Sequence, residues 1–281
     1  MKRTLRLLLG GLILGLLLAL YAYWEAGSDP RMRTFAVRAI GGPPIERPIR
    51  IAFLSDTHMA GPENEGERLD RVVAQINAAK PDLVLLGGDY VAHPKMFGGR
   101  TYSVGDSVKP FARFKAPMGV FAVLGNHDHW TNAEKVTEAL RKVDVTVLAN
   151  QAVRRGPVVL GGLDDDYTRH ADIKATVRAV KSAGGVPIYF THSPDLAPGM
   201  PPSTLLLAGH THCGQVALPL IGSPWTPSQF RNHYRCGKHM DNGRMVVTTA
   251  GIGTTGVPFR FRAPPDWWLI TVTGDGTSKR R

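Results

Sequence analysis

The chain predicts an α/β fold of two packed mixed β-sheets flanked by helices, a four-layer α/β/β/α arrangement. Three patterns carry this expectation: apolar runs of strand length, amphipathic stretches at helical spacing between them, and consecutive strands in the last third. Residues 49–55 form the first apolar strand. Residues 67–80 follow as a helix, with Leu69, Val72, Val73, Ile76 and Ala79 on one face and Pro81 as its stop. Residues 82–87 and 119–124 are the next strands. Residues 132–143 are a helix, with Asn132 or Thr131 as its cap. Residues 145–148 and 158–162 are strands, and 171–183 a third helix. Residues 186–191 and 204–208 are buried strands, and 244–249 and 267–272 read as antiparallel strands closing a sheet. Apolar strands alternating with helices imply sheets covered on their outer faces.

Before this body lie two other segments. Lys2, Arg3 and Arg6 precede an uncharged, Leu-rich run over residues 7–24. Eighteen helical residues span about 27 Å, close to a bilayer core. Tyr21, Tyr23 and Trp24 occupy the far end, as interfacial aromatics do, and the small residues of a cleavage site are missing there. Residues 1–24 are therefore read as an uncleaved anchor. Residues 25–48 are a tether with one edge strand over 34–40, residues 49–273 a catalytic domain, and 274–281 a basic tail. The basic start predicts a cytoplasmic amino terminus and an exported body, although Arg31, Arg33 and Arg38 after the span oppose that orientation.

At 281 residues the chain is long enough for a sizeable core, and 43% hydrophobic content excludes disorder. The net charge is +11, and without the three cations of the anchor it is still +8. Such a surface suits anionic partners. No basic patch with interleaved aromatics supports nucleic acid. Cys213 and Cys236 form no CxxC pair, which argues against a thiolate zinc site; a disulfide between them would fit an exported domain.

The chemistry lies in five motifs, each at the end of an apolar run: Asp56-Thr57-His58, Gly88-Asp89, Gly125-Asn126-His127-Asp128, Thr191-His192 and Gly209-His210-Thr211-His212. Ligands in open α/β sheets gather beyond the carboxyl ends of strands, so five loops can converge on one rim. In Asp56-x-His58 and His210-x-His212, residues two apart in extended chain would face the same side. The donors are oxygen and imidazole without thiolate, which suits Mn²⁺, Fe or Zn²⁺. Asp164, Asp165 and Asp166 read as a solvated loop, Arg260 and Arg262 as packed or solvated loop residues, and His129 as a substrate or surface residue. His93, His170, His233 and His239 read as surface or structural. The loop over residues 90–105 could overhang the site.

The order DxH, GD, GNHD, H and GHTH, each motif at a strand end, resembles the calcineurin-like metallophosphoesterase superfamily from residue 49 to about 272. The anchor, the Gly-Gln-Val-Ala-Leu-Pro stretch and the Pro-Phe-Arg-Phe-Arg-Ala-Pro-Pro-Asp stretch resemble a bacterial membrane-anchored branch related to UDP-2,3-diacylglucosamine hydrolases of lipid A biosynthesis. The resemblance implies that Asp56, His58 and His212 hold one divalent metal, that Asn126, His192 and His210 hold a second, and that Asp89 bridges them. It implies attack of a metal-bridging hydroxide on a phosphodiester or pyrophosphate. His127 would then act at the leaving oxygen, with Asp128 orienting its ring. The implied substrate is anionic, phosphorylated and lipid-linked. The implied place is the bacterial inner membrane, with the catalytic domain periplasmic or at the cytoplasmic face. UDP-linked lipids belong to the cytoplasmic face; an exported domain would favour a periplasmic or cell-envelope phosphodiester. A non-catalytic, metal-bound membrane module is the alternative of another class, and the complete motif set argues against it.

Overall fold

The computed structural model describes residues 2–39, 43–93 and 99–274. Helix α1 (Lys2–Gly27) is exposed along nearly its whole length, burying only Ala22, Glu25 and Ala26. Its 26 residues are long and apolar enough to cross a membrane. Strand β1 (Arg31–Arg38) follows directly, then β2 (Ile49–Leu54), α2 (Gly66–Ala78), β3 (Leu83–Leu86) and the short α3 (Val104–Val108). Next come β4 (Val120–Ala122), α4 (Asn126–Arg141), β5 (Val145–Val147), β6 (Gln151–Arg155), β7 (Val158–Gly162) and α5 (Ile173–Ala183). The chain closes with β8 (Val186–Phe190), β9 (Leu205–Ala208), β10 (Gly237–Asp241), β11 (Arg244–Thr248) and β12 (Asp266–Thr273).

The strands form two six-stranded sheets, β1-β12-β2-β3-β4-β5 and β10-β11-β9-β8-β7-β6. In the first, β2 to β5 run parallel, and β12 is antiparallel to β2 and parallel to β1. In the second, β7, β8, β9 and β11 run parallel between antiparallel edges. Alternation along each strand divides the core. Ile51 and Phe53 of β2 meet Ile188 and Phe190 of β8 between the sheets. Ala52 and Leu54 turn outward to Leu69, Val72 and Ile76 of α2. Val159 and Leu206 pack outward with Val180 of α5. These are the four predicted layers.

Several boundaries differ from the expectation. The edge strand expected over 34–40 is present but runs over Arg31–Arg38, starting three residues earlier because its pairing with β12 begins at Arg31. The strands at 244–248 and 266–273 do not close one sheet. They lie in different sheets, and each is parallel to one neighbour. Helix α4 starts at Asn126, ahead of the amphipathic pattern. At Asn132 the backbone becomes extended (φ 173°), and its Oδ1 accepts from Lys135 N at 2.9 Å, so this residue caps the segment read from the sequence. Strands β6 and β10, exposed edges without an apolar run, went unread. Of the expected overhanging loop, residues 94–98 lie outside the described residues, as do Ile40 and residues 275–281.

Candidate metal centre

The motifs converge because β2, β3, β4, β8 and β9 all present their carboxyl ends at one edge of the two sheets. The convergence is not achieved by extended chain, as the Asp-x-His and His-x-His spacing suggested. Asp56, His58, Asp89, His210 and His212 all have left-handed backbones, with φ between 35° and 67°. Non-glycine residues hold that region only where the surroundings enforce it, and such sites cluster where function needs a side chain redirected. Gly125 and Gly209 permit the close approach. A Cβ on Gly125 would meet Asp89 and His192, and one on Gly209 would meet Ser55 and Asp56.

Two groups of buried donors result. In the first, Asp56 Oδ1 lies 3.4 Å from His212 Nε2 and 3.9 Å from His58 Nε2. In the second, His192 Nε2 lies 3.1 Å from Asn126 Oδ1 and 3.0 Å from His210 Nδ1. Asp89 Oδ2 joins them, at 3.4 Å from His58 Nε2 and 3.2 Å from His192 Nε2. The other oxygen of Asp89 accepts from His127 N at 2.8 Å, which fixes the carboxylate between the groups. Donors arranged around an ion at about 2.0–2.2 Å are separated by edges of this size.

The donor chemistry fits cations. His192 Nδ1 contacts Gly87 O at 2.8 Å and His58 Nδ1 contacts Val91 O at 3.3 Å. Donation there leaves each Nε2 as an acceptor, as in metal-bound imidazoles. With Nδ1 donating in this way, each Nε2 faces oxygen and nitrogen atoms of the neighbouring donors across the site. Burial, with the neighbouring rings, pushes His210 down to about 3 and His212 well below the usual imidazole range, so both rings are neutral and free to offer a lone pair to a cation. Burial opposes charge on His192, but Asp89 and Asp56 hold it well above the usual value, a sign that positive charge is favoured at this point. Asp and His residues are thus positioned to bind divalent metal ions.

The residues around these donors divide differently from the expectation. His127 sits beside His58, with ring centroids 4.6 Å apart. Asp128 does not orient it. Its Oδ2 accepts from Asp89 N at 2.8 Å and Gly125 N at 3.0 Å, and its Oδ1 from Tyr90 N at 3.0 Å and Val91 N at 3.4 Å. Asp128 is a positioning residue that clamps the Asp89 loop to the start of α4. Asp128→Asn would turn an amide N–H₂ toward backbone donors, so we expect metal affinity to fall roughly 10–100-fold, measured by calorimetric Mn²⁺ titration, with the circular dichroism spectrum unchanged.

The aspartate run is not a solvated loop. Asp164 and Asp165 are buried, and Asp164 Oδ1 pairs with His129 Nε2 at 2.8 Å while His129 stacks on His170. His93 is exposed, but its ring lies 4.8 Å from that of His127. Trp130 and Tyr167, both more than half exposed, continue an aromatic rim from His127 to His210. Nothing in the sequence marked that rim except a Trp four residues after Asn126. Arg260 is fully buried. Its guanidinium donates to the carbonyls of His212, Ala250, Gly251, Gly253 and Ala263. It supports the ligand loops and does not face a phosphate.

Residues 49–214 match the calcineurin-like phosphoesterase family. The chain belongs to this family. Phosphodiesterase YaeI of Escherichia coli is 32% identical over 224 residues, covering 74% of this chain and 76% of the relative. The metallophosphoesterase YkuE of Bacillus subtilis is 30% identical over 232 residues, covering 79% and 78%. A transmembrane protein with a metallophosphoesterase domain from Danio rerio is 27% identical over 270 residues, covering 89% of this chain and 59% of its own length. The calcineurin-like phosphoesterase described here is thus a metal-dependent phosphoester hydrolase, with its donor residues on the shared edge of its two sheets.

Proposed function

We propose that the enzyme hydrolyses a phosphodiester or diphosphate of a membrane-associated substrate, with UDP-2,3-diacylglucosamine as the first candidate. The observation that carries the reading is Asp89 Oδ2 facing both donor groups, within 3.4 Å of His58 Nε2 and 3.2 Å of His192 Nε2. Asp56, His58 and His212 would hold one divalent ion and Asn126, His192 and His210 the other, with Asp89 shared. The pair of ions supplies a water of lowered pKa and neutralises phosphate oxygens. The chain's own residues supply the rest. The clamp of Asp128 and the amide of His127 keep Asp89 in place. His127, part-exposed at the rim, is placed to give a proton to the leaving oxygen. Trp130 and Tyr167 offer flat faces to whatever the phosphate carries.

A general acid matters most when the leaving group is a poor one. His127→Ala should therefore lower turnover of an alkyl phosphodiester by about 10²–10⁴-fold, yet affect bis-p-nitrophenyl phosphate far less. Equal losses on both would remove His127 from that role.

In this reading α1 is a single-pass anchor in a bacterial inner membrane. Arg33, one of the cations opposing an exported body, is paired with Asp266 at 2.5 Å. Cys213 and Cys236 form a disulfide, as oxidising compartments permit. This favours a periplasmic catalytic domain and a second substrate class, a cell-envelope phosphodiester. Turnover of UDP-2,3-diacylglucosamine beside phosphatidylglycerol-type diesters, with product analysis, tests both. Hydrolysis of neither class by the Mn²⁺-loaded enzyme would defeat the reading.

A further inference from the structure

The disulfide brackets the most exposed apolar segment of the catalytic body. Between Cys213 and Cys236 lie Leu218, Leu220, Ile221 and Trp225, exposed at 39%, 107%, 71% and 64%. Leu218 and Gly222 exchange backbone hydrogen bonds at 2.8 and 3.0 Å, so Leu220 and Ile221 are held out on a tight turn. Clustered exposed apolar side chains of this kind are unusual on a soluble surface and mark contact with an apolar partner.

The position of the turn indicates which partner. Ala217 N donates to Phe261 O at 2.8 Å, and Val216 bridges Phe261. Phe261 packs edge-on against Tyr21 of α1, ring centroids 5.9 Å apart, and Arg260 N donates to Ala22 O at 2.9 Å. The turn therefore springs from the part of the body that touches the last turns of the apolar helix. Exposed Arg231 and Arg262 lie nearby in the chain, as suits anionic headgroups. Trp225 has the amphipathic ring favoured at a bilayer interface.

We propose that residues 218–225 dock into the bilayer that α1 spans, beside the point where α1 leaves it. The disulfide-closed stretch that carries this turn begins at Cys213, next to His212, so docking would hold the donor residues close to the membrane surface. This rests on the reading of α1 as a membrane span.

The test uses the full chain in vesicles of phosphatidylethanolamine and phosphatidylglycerol. Leu220→Cys and Lys181→Cys are labelled with an environment-sensitive fluorophore; the native cysteines are paired and take no label. Doxyl-labelled lipid should quench the probe at 220 and leave that at 181, on the outer helix α5, unaffected. Leu220→Ser/Ile221→Ser should lower turnover of a vesicle-borne phosphodiester by about tenfold and leave bis-p-nitrophenyl phosphate unchanged. A chain retained after alkaline carbonate extraction but unquenched at 220 overturns the docking proposal alone, and a protein partner on the loop would give that result. Release by carbonate overturns the anchor and the docking together.

Discussion

Asp89→Asn is expected to lower Mn²⁺-dependent hydrolysis by a factor on the order of 10³, the scale of losing a main electrostatic stabiliser. The substitution keeps the shape and removes the charge. Asp89 Oδ2 faces His58 and His192, while Oδ1 is taken by the His127 amide. An amide held the same way has either its neutral oxygen or its N–H₂ between the donor groups. Neither offsets the mutual repulsion of two cations. Burial opposes ionisation of Asp89, yet His192, by charge and hydrogen bond, and His58 hold its pKa well below the usual carboxylate range, so the wild-type group is charged at neutral pH. Metal content by mass spectrometry should fall from two ions to one or none per chain. Turnover within tenfold of wild type at saturating Mn²⁺ would show that Asp89 is not the shared ligand.

Arg260→Leu is expected to destabilise the catalytic body by about 3–5 kcal/mol, the range for breaking a buried charged hydrogen-bond network. Leucine fills part of the volume and satisfies none of the five carbonyls that the guanidinium now serves. Desolvation is the chief cost of this arrangement, and it lowers the Arg260 pKa to about 10 despite Asp266 and Asp56 nearby. The group nevertheless stays charged through the physiological range, so the loss should be nearly independent of pH between 6 and 8. For a body of this size the melting temperature should drop by roughly 6–20 °C. Because His212 O and the carbonyls of Gly251 and Gly253 are among the acceptors, metal affinity should fall as well. An Arg260→Lys variant that restored stability would argue that charge alone suffices; we expect it to restore little, since one ammonium cannot reach five acceptors. Scanning calorimetry with and without Mn²⁺ measures both effects.

The strand-end motifs were legible because each is local: an apolar run, a turn, then a polar side chain. Their convergence followed from parallel strands having their carboxyl ends at one edge. What was not legible depends on contacts far apart in sequence. Asp128 adjoins His127 in the chain, so a carboxylate–imidazole pair was the natural reading. The structure instead turns it to backbone amides 37 to 39 residues earlier. Asp164 and Asp165 read as solvated because charge runs usually are; the partner of Asp164 is His129, 35 residues away. Likewise β12 was paired with its neighbour in sequence, although its partners β1 and β2 come from the far end of the chain. Edge strands β6 and β10 carry little hydrophobic signal because one side of each pairs with nothing.

Only a few residues separate the end of α1 at Gly27 from the start of β1 at Arg31, and Arg68 ties that junction down by donating to Gly27 O and Ser28 O. A connection so short and so well fastened is a bracket and not a leash. In the proposed orientation the metal centre keeps one height above the bilayer and cannot sweep a volume around its anchor. Encounters with substrate then occur in two dimensions. The variable that sets the rate becomes the mole fraction of substrate among the surrounding lipids, and diluting the membrane with inert lipid should slow the enzyme even when the bulk concentration is unchanged.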